Sequence, residues 1–323
     1  MISYFFGGEC LPIREGQGAM DKSGLERRYF LALVCASALT PSCLHAATRT
    51  VTDSRGRQVV LGAASRIACI GGTITETLYR LGAADQIVAV DTTSTWPEAA
   101  LKDKKSLGYM RAISSEGVLS VKPDLILAMD AAGPADAMSQ LVASGIPIVF
   151  VDSTPSPDAI IGRTQFLAKV VNREQAGTQL AQDIQQKFSA LKDWRDTHAA
   201  SPRVLFIMRM TNNRPLAAGR GTAADAVIRL AGGVNVGADL QGYKLLNTES
   251  LVTLKPDIIL TMNQGGEDIR KALLSDPGFG LTPAGQKKAI VEMEGERLLG
   301  FGPRTPEAAL DLARLMAKAE HPA

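Results

Sequence analysis

The sequence predicts an α/β protein of two Rossmann-like lobes, each built on a parallel sheet, joined by one long rigid helix with a ligand cleft between the lobes. Apolar segments of strand length alternate with helical patterns on both sides of a long polar stretch, which is typical of parallel sheets covered on both faces. The segment from Glu116 to Ala128 also aligns without a gap with Glu249 to Thr261, and both contain Glu-x5-Lys-Pro-Asp. A length of 323 residues suits about two domains.

The first half of the chain contains the elements expected of one lobe. Apolar and polar residues alternate over 51–61 around a Ser-Arg-Gly turn, which predicts a hairpin. Strands are predicted over 67–70, 87–90, 125–128 and 148–151, and helices follow Gly72 and cover 134–144.

A proline-free polar stretch from about Glu174 to His198 predicts the long helix, since apolar residues recur in it at helical spacing. At about 1.5 Å per residue it spans roughly 37 Å, a length suited to joining two lobes. Strands over 204–207 and 258–261 and helices over 223–230 and 306–318 then repeat the alternating order. We therefore expect an N-terminal lobe over 47–155, a linker with the interdomain helix over 156–200, and a C-terminal lobe over 201–323.

Residues 1–46 have the pattern of a signal peptide. The pair Arg27-Arg28 precedes a short apolar run, and small residues follow as far as Ala46-Ala47. The run is too short to cross a bilayer, which takes about 20 residues. Met20 would open a leader of more usual length, so we interpret residues 1–19 as the product of a start codon placed too early. The predicted destination is the periplasm, reached by the Sec or the twin-arginine route.

Charge and residue usage argue against several functions. Lys plus Arg total 35 against 33 acidic residues, so no strongly basic surface for nucleic acid is indicated. The histidines, His45, His198 and His321, are poorly placed for a Ser-His-Asp triad or a histidine-built metal site. We therefore predict that the protein is not an enzyme. Cys69 is the single cysteine after the leader and is interpreted as a buried strand residue.

The loop Leu107-Gly-Tyr-Met-Arg111 is the best candidate for ligand chemistry. Ferric iron and a neighbouring guanidinium both favour the phenolate form of tyrosine, so Tyr109 with Arg111 is a chemically sensible pair for haem iron. An exposed tyrosine near an arginine is more often an ordinary surface pair. The residues alone leave both interpretations open.

The run from Gly71 to Ala132, with TAADAVIRLAGG at 222–233 and GFGPRTPEAALDLA at 300–313, resembles the periplasmic haem-binding proteins of bacterial haem ABC importers. These belong to a wider class with two lobes joined by one helix, which also includes vitamin B12 and ferric siderophore binding proteins. The resemblance implies that Tyr109 is the axial ligand of haem iron and that Arg111 hydrogen-bonds its phenolate oxygen. It also implies a monomer that carries haem b, as transported ligand, to an inner-membrane permease and ATPase complex.

In that class a glutamate on each lobe meets arginines of the permease, which assigns permease docking to Glu116 and Glu249. Two positions depart from the family pattern. Trp96 stands where relatives often carry tyrosine, and it is expected to support the ligand. The second lobe lacks a histidine in a predicted loop over 208–213, so we expect a haem contact from Arg209 there.

The number of haems, one or two, stays open at this point. A cobalamin or ferric-siderophore binding protein of the same fold is the first alternative. A periplasmic Rossmann-like enzyme is the second, although Gly71-Gly72-Thr73 lacks the further glycine of a dinucleotide fingerprint.

Overall fold

A computed structural model describes residues 49–198, 200–263 and 269–320. The predicted leader and His321 lie outside these residues. Within them, no helix is both long and apolar enough to cross a membrane.

The strands follow one another in two groups. The first comprises β1 Arg49–Thr52, β2 Gln58–Leu61, β3 Ile67–Ile70, β4 Ile87–Val90, β5 Lys105–Ser106, β6 Leu125–Met129 and β7 Ile148–Val151. The second comprises β8 Arg203–Thr211, β9 Arg214–Ala218, β10 Val234–Asn235, β11 Tyr243–Leu245, β12 Ile258–Met262 and β13 Ile290–Met293.

The helices lie between and after these strands, with a 3-10 turn at Ala84–Gln86. The first six are α1 Gly72–Arg80, α2 Glu98–Asp103, α3 Ser115–Ser120, α4 Ala135–Ala143, α5 Pro157–Val170 and α6 Glu174–Thr197. The others are α7 Ala223–Leu230, α8 Thr248–Leu254, α9 Ile269–Leu274, α10 Pro277–Gly280, α11 Pro283–Lys287, α12 Gly295–Leu299 and α13 Thr305–Glu320.

The first lobe is a five-stranded parallel sheet in the order β5-β4-β3-β6-β7, beside the antiparallel hairpin of β1 and β2. Its central strands are buried on both faces, and separate apolar clusters cover the two sides. Cys69 lies fully buried in β3, as expected, and burial raises the pKa of its thiol to about 12. The parallel sheet and the hairpin that the sequence predicts are confirmed.

The second lobe differs from the prediction because its sheet is mixed. The order is β11-β9-β8-β12-β13, with β10 also paired to β8; β9 and β11 run antiparallel to their neighbours. The predicted loop over 208–213 is wrong, since residues up to Thr211 continue β8 and form a hairpin with β9. Its turn is Asn212-Asn213, with φ of 49° and 60°, a conformation that asparagine tolerates better than most residues. Arg209 therefore lies on a strand.

The long helix α6 ends within one residue of the predicted position, and α5 was not predicted as a separate helix. Leu167 of α5 packs in the first-lobe core, whereas Ile184 and Phe188 of α6 pack in the second-lobe core. Leu180, between these levels, touches both cores. The segment expected to be a linker is thus a helical pair that belongs to both cores.

The sequence repeat is also a repeat of local structure. In each lobe a polar side chain caps the helix that contains the repeated glutamate, Ser114 before α3 and Asn247 before α8. A lysine with positive φ follows within two residues of each helix end, Lys122 at 48° and Lys255 at 44°. A Pro-Asp turn then leads into the buried strands β6 and β12.

The aspartate of each Lys-Pro-Asp turn connects the helix to the neighbouring strand. Asp124 accepts hydrogen bonds from the backbone of Ser65 and Arg66, and Asp257 accepts one from the backbone of Arg203. The Arg66 and Arg203 side chains donate to backbone carbonyls at the C-terminal ends of α3 and α8. Burial alone would raise the pKa of Asp124, but these hydrogen bonds outweigh it and lower the pKa. The Lys-Pro-Asp motif is therefore structural.

The lobes meet at a buried ion pair between Glu76 on α1 and Arg304 before α13. Arg304 Nε lies 3.1 Å from Glu76 Oε2, and the Arg304 backbone N–H donates to Glu76 Oε1 at 3.0 Å. The guanidinium carbons of Arg80 and Arg304 lie 5.1 and 5.0 Å from the centre of the Trp96 ring. Thr73 donates to the carbonyl of Gly300 at 2.6 Å, which adds a second contact between the lobes.

Removal of Arg304 tests this junction. Arg304→Ala leaves the Glu76 carboxylate buried without its main cation, and breaking such a pair costs about 3–5 kcal/mol of unfolding free energy. Urea unfolding followed by circular dichroism measures the loss. Arg314→Ala is the matched control, because its pair with Asp311 is exposed and is expected to contribute about 0–1 kcal/mol. Equal losses in the two variants would contradict a central role for the junction pair.

Candidate functional site

The loop over 107–113 lies between β5 and α3 and is held on two sides by backbone hydrogen bonds. On one side Thr92 N–H donates to the Gly108 carbonyl at 2.9 Å. On the other, Gly133 N–H donates to the Met110 carbonyl at 3.0 Å, and Ile113 N–H donates to the Gly133 carbonyl at 2.9 Å. The loop is thus fixed by segments that follow β4 and β6, both central to the first-lobe sheet.

Tyr109 projects from this fixed loop. Gly108 has a φ of +82°, which side-chain-bearing residues rarely adopt, and the Tyr109 carbonyl accepts from Ala112 N–H at 2.8 Å to close a turn. The Tyr109 side chain is 49% exposed. No other described residue hydrogen-bonds its hydroxyl, so the phenol oxygen is accessible to a ligand.

A buried aspartate organises the backbone behind the loop. Asp91 follows β4 and accepts from Gly71 N–H at 2.8 Å, from Thr93 N–H at 2.9 Å and from the Thr93 hydroxyl at 2.7 Å. The Thr93 hydroxyl in turn accepts from Gly72 N–H at 2.8 Å. The start of α1 and the segment beside the loop are therefore tied to one carboxylate.

Arg111 is exposed, and within the described ranges no carboxylate forms a salt bridge with it. Its charge acts instead on Tyr243 of the second lobe. Burial raises the pKa of Tyr243, the Arg111 charge lowers it, and Tyr109 raises it.

Tyr243 lacks a flanking arginine and lies one position out of register with Tyr109 relative to the repeat, so the sequence gives it no motif. Its pairing is set by the antiparallel strand β11, in which Tyr243 lies opposite Ala218 of β9. No local pattern in the sequence predicts that a charge of the first lobe affects its pKa.

The other predicted site residues are placed differently. Trp96 is half-buried and lies against Arg80 and Arg304 at the lobe junction. Arg209 is exposed on β8, and its Nε donates to the Thr211 hydroxyl at 3.3 Å. Their roles as ligand contacts remain predictions.

Glu116 and Glu249 occupy equivalent positions in the two lobes. Each lies in the first turn of its helix, two residues after the capping side chain, and each is exposed. Neither forms a salt bridge with another described residue.

A carboxylate from the second lobe, Glu296, is enclosed beside the network of Asp91. A Cβ atom at Gly72 would lie 2.7 Å from Glu296 Oε1 and 2.2 Å from the carbonyl oxygen of Thr93, so only glycine fits there. Burial raises the pKa of Glu296 to about 8, and the negative charges of Asp91, Glu294 and Glu76 add to the shift against the opposing charge of Arg304.

This carboxyl predicts a pH dependence of stability. With its pKa raised to about 8, Glu296 keeps a proton in the folded protein that the unfolded chain releases near its ordinary pKa of 4.5. The protonated carboxyl therefore stabilises the folded state most at pH values below 4.5. This stabilisation is lost as pH rises from there through about 8. Between pH 6 and pH 9.5 the melting temperature should fall less in Glu296→Gln than in the parent. Glu292→Gln, at an exposed position on β13, is the control; an identical decline in all three proteins would refute the assignment.

The fold and the loop together define the class of the protein: a two-lobed α/β solute-binding protein whose lobes are joined by one long helix. The chain belongs to the periplasmic binding protein family, whose model matches residues 67–296.

Solved structures of haem-binding proteins are similar to this chain. The periplasmic heme-binding protein BhuT, in complex with two hemes, is 38% identical with a TM-score of 0.75, over 79% of this chain and 98% of that one. The apo form of RhuT from Roseiflexus sp. RS-1 is 35% identical, with a TM-score of 0.76 over 80% and 100% of the two chains. The periplasmic heme-binding protein HutB of Vibrio cholerae is 31% identical, with a TM-score of 0.70 over 78% and 99%.

A relative with a different stated ligand is also similar. The vitamin B12-binding protein of Yersinia pestis (strain Pestoides F) is 33% identical over 201 residues, which cover 61% of this chain and 69% of the relative. These relatives are thus named for two different ligands, haem and vitamin B12.

Proposed function

We propose that this protein captures ferric haem b between its lobes in the periplasm and delivers it to an inner-membrane ABC importer. It acts as a binding protein and catalyses no reaction. The predicted leader would export it, and the leader would be removed from the mature chain.

The observation that carries the proposal is the accessible phenol of Tyr109 on a fixed loop. Two residues away is the guanidinium of Arg111, which forms no salt bridge with a described residue. The likeness to three haem-binding structures at 31–38% identity supports the same ligand. A tyrosine that binds iron from a ligand needs an oxygen free of strong protein hydrogen bonds. Tyr109 meets this condition, since no described residue hydrogen-bonds its hydroxyl.

The chemistry follows from the charges. Ferric iron binds the phenolate form of tyrosine, and a nearby positive charge favours loss of the phenol proton. In this proposal Tyr109 is the axial ligand and Arg111 donates a hydrogen bond to its oxygen. Because the loop is held on both sides by backbone hydrogen bonds, the backbone that carries Tyr109 is ordered before the ligand arrives, which limits the entropy lost on binding.

Titration with hemin tests the ligand assignment. The parent protein should give a shifted, saturable Soret band. Partners of a metal ligand typically contribute about 10–100-fold to affinity, so Arg111→Leu should weaken binding by that factor and Tyr109→Phe by more. Absorbance and quenching titrations give the dissociation constant and the number of haems.

Tyr79→Phe is the matched control, since Tyr79 lies on α1 with its ring against the first-lobe core. It should bind hemin as the parent does. A parent protein without a saturable band would end the proposal, whereas an unchanged Tyr109→Phe would end only the assignment of the ligand.

Cobalamin is the second candidate, favoured by the likeness to the vitamin B12-binding protein. The same titration with cyanocobalamin separates the two. Saturable binding of the corrinoid that is insensitive to Tyr109→Phe, with no binding of hemin, would favour this alternative.

We also propose that Glu116 and Glu249 dock the protein on its permease. Both are exposed carboxylates in equivalent helix turns, which suits recognition of one partner by both lobes. Basic sockets on the permease would pair with them, and such pairs fix register and accelerate association.

Charge reversal tests docking. Glu116→Lys with Glu249→Lys should abolish haem-stimulated ATP hydrolysis by the reconstituted transporter, while the hemin affinity stays within about twofold. Asp136→Lys with Asp158→Lys is the matched control, because both are exposed acids in first helix turns. Loss of hemin binding in the first double variant, or loss of stimulation in both, would contradict a specific docking role.

A further inference from the structure

Arg55 lies in the turn between β1 and β2 and belongs to no motif that the proposed function uses. The hairpin is docked on the edge strand β7 of the first-lobe sheet. Ser54 N–H donates to the Phe150 carbonyl at 3.0 Å, and Phe150 N–H donates to Asp53 Oδ2 at 3.4 Å. Because Phe150 is the third of the four residues of β7, the hairpin turn lies beside the C-terminal end of that strand.

The guanidinium of Arg55 is held in place although the residue is exposed. Its central carbon lies 3.4 Å from the centre of the buried Phe150 ring, and its Nη2 donates to the Asp130 carbonyl at 3.1 Å. The ring attracts the cation without using its N–H donors, so most of the five donors of the guanidinium stay available. Arg55 forms no salt bridge with a residue that the structure describes.

Two carboxylates at the ends of β6 and β7 are engaged elsewhere. The Ser153 hydroxyl donates to Asp130, and the backbone N–H and hydroxyl of Thr154 donate to Asp152 at 3.1 and 2.7 Å. Burial lowers the pKa of Arg163, and the charges of Asp152 and Asp130 oppose that effect. Neither carboxylate forms a salt bridge with Arg55, so neither neutralises its charge by contact.

One turn joins the Arg55 guanidinium to the loop that presents Tyr109. The turn covers residues 130–133 directly after β6, and Arg55 donates to its first carbonyl. Its last residue, Gly133, donates from its N–H to the Met110 carbonyl at 3.0 Å. A Cβ atom at Gly133 would lie 3.8 Å from the Arg111 carbonyl oxygen. The Arg55 guanidinium and the ligand loop therefore lie at the two ends of one short turn.

This turn lies at the edge of the sheet where a ligand is expected. In open α/β sheets ligands bind outside the carboxyl ends of the strands, and the turn follows the carboxyl end of β6. A porphyrin that is bound through its central iron extends sideways and carries two propionates on one side of its rim. A guanidinium recognises a carboxylate by paired, charge-assisted hydrogen bonds.

We propose that Arg55 binds a propionate carboxylate of the haem whose iron Tyr109 ligates, and that this contact sets the orientation of the porphyrin in the cleft. The inference rests on the proposed function, since it requires haem on Tyr109. It gives the hairpin a part in ligand recognition in addition to covering the sheet edge. It also favours a tetrapyrrole with free carboxylates over a corrinoid, whose side chains are amides.

Titration with hemin and with hemin dimethyl ester isolates the propionate contact, because the ester keeps the iron and the ring but lacks the two charges. The parent should bind hemin more tightly than the ester. Arg55→Gln should raise the hemin dissociation constant about three- to tenfold, the range for one hydrogen bond or partly exposed ion pair. Its dissociation constant for the ester should stay within about twofold of the parent value. The Soret maximum should not move, since the iron ligand is unchanged.

Two further variants separate a ligand contact from an effect on the fold. Arg55→Lys keeps the charge without the paired donors, so its preference for hemin over the ester should lie between those of the parent and Arg55→Gln. Arg173→Gln is the matched control and should bind both ligands as the parent does. Arg173 is also exposed, forms no salt bridge with a described residue, and donates to the Asn172 carbonyl at 3.3 Å.

The outcomes distinguish this inference from the proposed function. If the parent fails to bind hemin, the proposed function fails. If the parent binds hemin but shows no preference over the ester, or if Arg55→Gln keeps the full preference, only the role of Arg55 is lost. An equal loss of affinity for hemin and for the ester in Arg55→Gln would overturn the inference as well, because the substitution would then act through the fold.

Discussion

The ion pair of Glu76 and Arg304 fixes how the two lobes meet, and the candidate site depends on that arrangement. A carboxylate removed from water is costly unless charge and hydrogen bonds compensate it. Glu76 receives both the guanidinium and the backbone N–H of Arg304, and it also faces Arg80. Even so, burial keeps the pKa of Glu76 raised against the opposing effect of Arg304. The contact therefore specifies one geometry at an energetic cost.

That geometry extends to the loop of Tyr109 through a short series of contacts. Glu76 lies on α1, whose first residues are bound by Asp91 and Thr93. The segment after Asp91 bonds to the backbone of the loop that presents Tyr109. Glu296 of the second lobe is enclosed against the same glycine turn, so the position of the loop and the position of the second lobe are coupled.

Much of the scaffold could be predicted because its signals are local. Buried strands such as β6 and β12 are short apolar runs, and α6 has a regular apolar spacing. The mixed second sheet was missed, since β9 and β11 are short and Met208 to Thr211 carries no clear strand pattern. Helix α5 was missed as a separate element because its apolar residues serve two cores. Tyr109 could be proposed as a ligand from its glycine and arginine neighbours in sequence, and this stays a prediction. The effect of Arg111 on the pKa of Tyr243 could not be predicted, because the two residues lie in different lobes.

The equivalent side-chain caps of α3 and α8 have a mechanical consequence. Glu116 is fixed to the first lobe and Glu249 to the second, each within one turn of a capped helix and each followed by an anchored Pro-Asp turn. The span between these two carboxylates is therefore a property of the junction and of neither lobe alone. Any tilt of one lobe against the other changes the distance between the two carboxylates. A partner surface that binds both carboxylates would therefore be sensitive to the relative position of the lobes.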